Sequence, residues 1–148
     1  MNGLMNHRMM EDEIMMSEIG KSANNAKTVI NNSRVVIYDA RPKLNAQANK
    51  YIKNGGFEDV KYYRNCDIIF CDIENIHEVS KCFRKMYDII DDHKNYNTLS
   101  SFQPLIEASG YNQMISRVLK ATNMAVETLM QKKMNILVHC SDGWDRTA

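Results

Sequence analysis

The chain of 148 residues predicts an α/β layer fold, with a central, largely parallel sheet flanked by helices and reactive residues at the carboxyl ends of strands. Two observations carry that prediction. Strand-like runs alternate along the chain with segments whose apolar residues recur at helical spacing. The best runs are also continuous rather than alternating, as in Val35-Val36-Ile37-Tyr38 and Ile136-Leu137-Val138. Continuous apolar runs belong to strands covered on both faces, the condition of a parallel sheet between helix layers.

The length suits one domain and leaves no room for two ordinary ones. With 44% hydrophobic and 25% charged residues the chain is globular in character rather than disordered. A net charge of +1 argues against bulk binding of nucleic acid, although a local positive pocket is compatible with it. Four cysteines without paired spacing argue against a disulfide framework and against a zinc site. No apolar run approaches the ~18 residues of a membrane span. The first residues lack a signal core and are interrupted by Glu11, Asp12 and Glu13. The expectation is a soluble, cytoplasmic chain with reduced thiols.

At the start of the chain, Met9, Met10, Ile14, Met15, Met16 and Ile19, closing at Gly20, suggest a short amphipathic helix with an acidic first turn. Such a Met-rich stripe suits a promiscuous docking face, but core is the plainer reading. Lys21 to Ser33 reads as a loop around Val29-Ile30. Val35 to Tyr38 is the first strand, with Asp39 at its end, and Asp39-Ala40-Arg41-Pro42 turns the chain because Pro42 biases Arg41 away from helical angles. Leu44 to Tyr51 reads as a short helix ended by Asn54-Gly55-Gly56. Asp67 to Ile73 is a second strand around Ile68-Ile69-Phe70-Cys71. Asn75 then caps a helix carrying Ile76, Val79, Phe83, Met86 and Ile90 down to His93. Tyr96 to Ser109 reads as a broken connection because of Pro104. Tyr111 to Gln131 is the longest helix, with a stripe of Ile115, Val118, Leu119, Thr122, Val126 and Leu129, and with Lys132 and Lys133 favouring its C-terminal end. The third strand, Asn135 to Val138, closes the sheet.

That strand delivers His139-Cys140-Ser141-Asp142-Gly143-Trp144-Asp145-Arg146-Thr147. A loop containing a glycine can curl so that successive N–H groups point at one anion. Cys140 would sit at the floor of that cup, and Arg146, six positions on, could grip two phosphate oxygens with its planar fork. The other cysteines make a useful comparison: Cys66, Cys71 and Cys82 have Asp72, His77 and Asp88 at that offset. A buried structural cysteine at a strand end is the bland alternative. Inward amides, Arg146 and the positive end of a following helix would all lower the thiol pKa. The chemistry this equipment suits is in-line attack on a phosphate monoester and hydrolysis of the resulting phosphocysteine, and it requires no metal and no cofactor. Asp142 and Asp145 are the candidate general acids, and nearby negative charge is expected to raise their pKa values. Asp142 could instead brace the loop. Thr147 could hydrogen-bond the sulfur as it leaves, or cap the next helix. His139 is expected to orient loop carbonyls, and Trp144 to form a pocket wall.

The nonapeptide resembles the active-site signature of the myotubularin family of phosphoinositide phosphatases, letter for letter from Cys140 to Arg146. The resemblance extends to Asp39-Ala40-Arg41-Pro42-Lys43-Leu44-Asn45-Ala46 with Ala48-Asn49, to Gly55-Gly56-Phe57-Glu58 and to Glu74-Asn75-Ile76-His77, and so spans residues 10 to 148. It implies a partial cysteine-phosphatase fold truncated after the active-site loop, with the family's PH-GRAM domain and the later part of the phosphatase domain outside the chain. It implies Cys140 as nucleophile, Arg146 as phosphate clamp and Asp145 as general acid. Ser141, Asp142, Gly143, Trp144, Asn49, Asn75 and Ile76 are then substrate-binding. From the residues alone, Asn49 is equally a helix C-cap, Asn75 an N-cap and Ile76 a core residue, unless the backbone of Ile76 is what meets the ligand. The implied reaction removes the 3-phosphate of phosphatidylinositol 3-phosphate and phosphatidylinositol 3,5-bisphosphate at a peripheral, endosomal membrane surface. A homo- or hetero-dimer, as the family forms, stays open.

Two other functions compete. An inactive or pseudophosphatase-like regulatory piece is disfavoured by the intact Cys140 and Arg146, but favoured by the expected truncation. A tyrosine phosphatase would share the thiolate chemistry. Truncation also implies uncovered apolar faces and marginal stability.

Overall fold

The computed structural model describes residues 9–22, 33–52, 56–92 and 99–148. In chain order these form α1 (Met10–Ser22), β1 (Val35–Asp39), α2 (Lys43–Ile52), β2 (Cys66–Phe70), α3 (Ile76–Asp91), α4 (Leu99–Ala108), α5 (Tyr111–Met130) and β3 (Asn135–His139). The strands lie in the order β2-β1-β3 and both pairings are parallel. Val35 stands opposite Cys66 on one side and Asn135 on the other, and Asp39 opposite Phe70 and His139. Parallel neighbours require crossover connections, and each one here is helical. The expected α/β class with a parallel sheet is therefore the fold observed.

The central position of β1 explains its composition. All five of its residues are buried, as the continuous apolar run requires. Side chains alternate between the faces of a strand. On one face Val35 and Ile37 meet Met16, Tyr63 and Cys66, with Ile19, Ile68 and Leu137 packed against them. On the other face the Tyr38 hydroxyl lies 2.8 Å from Thr128 Oγ1 and donates to the Met124 carbonyl at 2.9 Å, which ties β1 to α5. The end of α1 is pinned from below: Asn135 Nδ2 donates to the Ile19 carbonyl and, at 3.1 Å, to Ser22 Oγ.

Several elements depart from expectation for identifiable reasons. Gly20 does not end α1, which continues to Ser22. It is a close-approach glycine instead, since a Cβ there would lie 2.1 Å from the Ser33 carbonyl oxygen. Of the methionine stripe only Met16 is buried, while Met10, Ile14 and Met15 are exposed. β2 ends at Phe70 rather than Ile73, because Asp72 turns into the left-handed region at φ 57°. Its partners on β1 are kept all the same, Cys71 N–H donating to the Asp39 carbonyl at 2.8 Å and Ile73 N–H to Ala40 at 2.9 Å.

Pro104, expected to break the chain, lies inside α4. The lost hydrogen bond is offset by packing of α4 against α3 and α5. The predicted stripe of α5 is largely outward: Ile115, Val118, Leu119, Val126 and Leu129 are exposed. The helix instead turns Ala121, Met124, Ala125 and buried Thr128 inward, the face that holds the partner Tyr38 needs. The stripe is thus an exposed apolar face among the described residues. Val29-Ile30, Asn54-Gly55, His93 and Tyr96 lie outside the described residues.

Candidate active site

β3 and β1 bring the candidate residues together. The Ala40 N–H donates to the His139 carbonyl at 2.8 Å, extending the ladder one step past the strands and fixing where the chain leaves the sheet. Cys140, the next residue, is 4% exposed. The loop then turns back over it, and Gly143 adopts φ 76°. Nothing lies within 4 Å of a Cβ built there, so the glycine is required by its backbone angle and not by crowding.

The sulfur is an acceptor in this loop. Gly143 N–H donates to Cys140 Sγ at 3.2 Å. Burial works against a thiolate, but the Thr147 hydroxyl, followed by the amides of Gly143, Asp142 and Thr147, outweighs it and holds the Cys140 thiol below its ordinary value. The Thr147 hydroxyl makes no well-aligned hydrogen bond of its own, so it acts on the sulfur through proximity. The contrast with other thiols is large: burial pushes Cys66 and Cys71 up to about 11.

Arg146 Nε and Thr147 Oγ1 are the buried side-chain polar atoms without a hydrogen-bond partner among the described residues. Buried donors are paired in the great majority of cases. Both of these atoms lie at the same end of the eight-residue loop that begins at Cys140.

Asp145 bridges the loop to α3. Its Oδ1 accepts from Arg146 N–H at 2.7 Å and its Oδ2 from Ile76 N–H at 3.3 Å, while Oδ1 also lies 3.9 Å from the Cys140 sulfur. The expectation of a raised carboxyl pKa is corrected here. The Arg146 amide lowers it most; burial opposes, and the Ile76 amide and the Arg146 charge add to the lowering. The side chain is largely in solvent, and the amide donors with the Arg146 charge decide the sign.

Asn75 is the N-cap foreseen, its Oδ1 accepting from His77 N–H at 3.0 Å and Glu78 N–H at 3.1 Å. Ile76 is no core residue, being exposed, and its backbone N–H is what reaches the loop. Asn49 stands inside α2, not at its C-cap, and no hydrogen bond joins it to the loop among the described residues. Ser141, Asp142 and Trp144 are exposed, Trp144 at 85%, so the tryptophan is on the rim and not in a closed wall.

Beneath the loop lies a charged layer whose pairings sequence reading did not anticipate. Arg41 Nη2 lies 2.6 Å from Asp39 Oδ2, and its Nε 2.9 Å from Oδ1, with both side chains almost fully buried. Burial opposes the Arg41 charge, but the hydrogen bonds and charge of Asp39 raise its pKa, with Glu58 and Cys140 adding to the effect. Arg41 Nη2 also donates to the Gly56 carbonyl at 2.9 Å. His139 Nε2 lies 3.2 Å from buried Glu58 Oε2, and its Nδ1 3.0 Å from the Cys140 carbonyl oxygen. The orienting role expected of His139 has this carbonyl as its object. Only the i, i+2 acid–base spacing of Asp39 and Arg41 at a strand end hinted at the first pair; 81 residues separate Glu58 from His139.

A thiol held below its ordinary value by the Thr147 hydroxyl and the loop amides, set just past the end of a parallel strand, defines the class: a cysteine loop on an α/β scaffold. The chain belongs to the myotubularin-like phosphatase domain family, whose model matches residues 1–148. It is 38% identical over 117 residues to myotubularin of Xenopus laevis, covering 78% of this chain and 19% of that protein. It is 35% identical over 150 residues to phosphatidylinositol-3,5-bisphosphate 3-phosphatase MTMR2 of Mus musculus, covering all of this chain and 22% of that protein. To the phosphatidylinositol-3,5-bisphosphate 3-phosphatase MTMR8 of Gallus gallus it is 35% identical over 141 residues, 95% of this chain and 21% of that protein. The chain thus spans about a fifth of the length of these relatives. Among the described residues no helix is long and apolar enough to cross a membrane.

Proposed function

We propose that the chain carries the nucleophilic half of a 3-phosphoinositide phosphatase site, acting on phosphatidylinositol 3-phosphate and phosphatidylinositol 3,5-bisphosphate presented at a membrane surface. The observation that carries the reading is the Cys140 sulfur accepting from the Gly143 amide, with its thiol held below the ordinary value, in the loop that also carries the unpaired Arg146 Nε. Family membership, and the activity for which the relatives are named, supply the substrate class.

In this reading the Cys140 thiolate attacks phosphorus in line with the 3-oxygen of the inositol. The S–P bond forms as the P–O bond breaks. The Gly143 and Asp142 amides and the Arg146 guanidinium hold the equatorial oxygens, where charge gathers in the transition state. Asp145 supplies the proton to the departing oxygen. As held here it is ionised, but a phosphate dianion entering the same loop raises a carboxyl pKa, which moves Asp145 towards the acid form. Water then attacks phosphorus, the S–P bond breaks, and inorganic phosphate leaves as the thiolate returns, assisted by the Thr147 hydroxyl. Asn75 serves by capping α3, so that the Ile76 N–H stays aimed at the site. Trp144 on the rim is placed to meet the headgroup or the lipid surface.

The test is phosphate release from short-chain forms of both lipids, with a phosphotyrosyl peptide alongside. Turnover of lipid over peptide, lost in Cys140→Ser, is the expected result. Preference for the peptide would establish the tyrosine phosphatase reading, and absence of turnover from folded chain would reject phosphatase activity for these residues.

A further inference from the structure

The charged layer below the loop has no part in the chemistry just described, yet it ends on the nucleophile's own carbonyl. Both ring nitrogens of His139 face acceptors: a carboxylate oxygen of Glu58 at Nε2 and the Cys140 carbonyl oxygen at Nδ1. A neutral imidazole has one N–H and would leave one of these contacts as lone pair against lone pair. With Glu58 ionised, only the doubly protonated ring satisfies both. We propose that Glu58 is a positioning residue for Cys140, holding His139 as an imidazolium whose charge stabilises the thiolate and whose Nδ1–H fixes the carbonyl at the start of the loop.

The surroundings are built for this state. Glu58 is 4% exposed, and a buried carboxylate without a cationic partner is costly. Burial disfavours the His139 charge, but the hydrogen bond and charge of Glu58, the Cys140 carbonyl and the Asp39 charge together raise its pKa. Burial likewise opposes the Glu58 charge, and the His139 contact overcomes it. Asp39 on β1 is itself occupied by Arg41 in the following turn, and Arg41 holds the Gly56 carbonyl two residues before Glu58. The carboxylate is thereby anchored from the sheet, independently of the loop it serves. The groups acting on His139 are therefore Glu58, the Cys140 carbonyl, Asp39, and Arg41 through Glu58.

The inference rests on Cys140 being the nucleophile, but its test needs no substrate. The rate of Cys140 alkylation by iodoacetamide is followed by peptide mass spectrometry from about pH 5 to about pH 10, a range spanning the ordinary His and Cys values. In Glu58→Gln the midpoint is expected to rise and the rate near pH 7 to fall about 3- to 10-fold. His139→Asn should do the same, and the double variant no more than His139→Asn alone. Alkylation of buried Cys66 reports any loss of fold. In parallel, the His139 ring is titrated by NMR in the unmodified chain, which requires no variant. A midpoint above the ordinary histidine value, falling in Glu58→Gln, is the expected outcome. A His139 ring that is neutral near pH 6, or an unchanged Cys140 profile in folded Glu58→Gln, would overturn the proposal. Absence of phosphate release with an intact alkylation effect would count against the phosphatase reading and leave this one standing.

Discussion

Cys71 and Cys140 occupy equivalent addresses on the two sides of β1. Each comes directly after the strand residue paired with Asp39, Phe70 in one case and His139 in the other. Each backbone exchanges a hydrogen bond with the end of β1 within a residue of its cysteine. Their thiols nevertheless diverge: burial, then the Asp39 charge, pushes Cys71 up to about 11, while Cys140 is held below its ordinary value. The difference lies in the path of the backbone beyond each strand. After Cys71 the chain makes a left-handed turn at Asp72, and Arg117 from α5 takes up the Asp72 carbonyl at 3.2 Å. After Cys140 it curls so that its own amides converge on the sulfur. Topology supplies the address, and the loop supplies the chemistry.

The sharpest way to break this contrast is at the ion pair both sides share. Arg41→Met leaves the Asp39 carboxylate buried and unpaired, and should destabilise the fold by about 3–5 kcal/mol, measured by urea denaturation. A loss under about 1 kcal/mol would mean that Asp39 is satisfied by other groups. Next comes the contrast itself. Near pH 8 the thiolate fractions of Cys140 and Cys71 should differ by about 100-fold or more. The weaker intrinsic nucleophilicity of the more acidic thiol trims the alkylation ratio to about 10-fold or more. Comparable rates in folded chain would show that the loop amides do not govern the sulfur.

The smallest effect is a pH dependence that separates the Cys140 side from the other. Glu58 has a lowered folded pKa, so its contribution is present above its unfolded value of about 4.3 and is lost as pH falls through the folded value. His139 has a raised folded pKa, so its contribution is complete below about 6.5 and is lost as pH rises through the folded value. The pair should therefore add most between about pH 4.5 and about pH 6.5, by about 1 kcal/mol after solvent screening. Denaturation midpoints across that range, with Glu58→Gln as reference, should show a hump that the variant lacks.

How much of this can be read from residues depends on range. The three strands are legible as apolar runs, although of the described strands only β1 is buried along its whole length and Val138 on β3 is exposed, and Asn75 is legible because an N-cap is a local device. The inward face of α5 is not, because periodicity finds an apolar stripe without saying which side of a helix meets the sheet. Tyr38 decides that, by needing Thr128 as a partner. Pro104 reads as a break because local propensity carries no knowledge of the two helices packed on α4.

The sequence by itself determined the parallel α/β class and the loop from Cys140 to Thr147, because a strand, a glycine and a six-residue Cys–Arg spacing all lie within one short stretch. Only the tertiary structure decided that Asp145 is held ionised with help from the Ile76 amide, and that Glu58 stands under His139 from 81 positions away. Local signals encode backbone angles and burial. The charge state of a buried group depends on its neighbours in space, which the order of residues does not display.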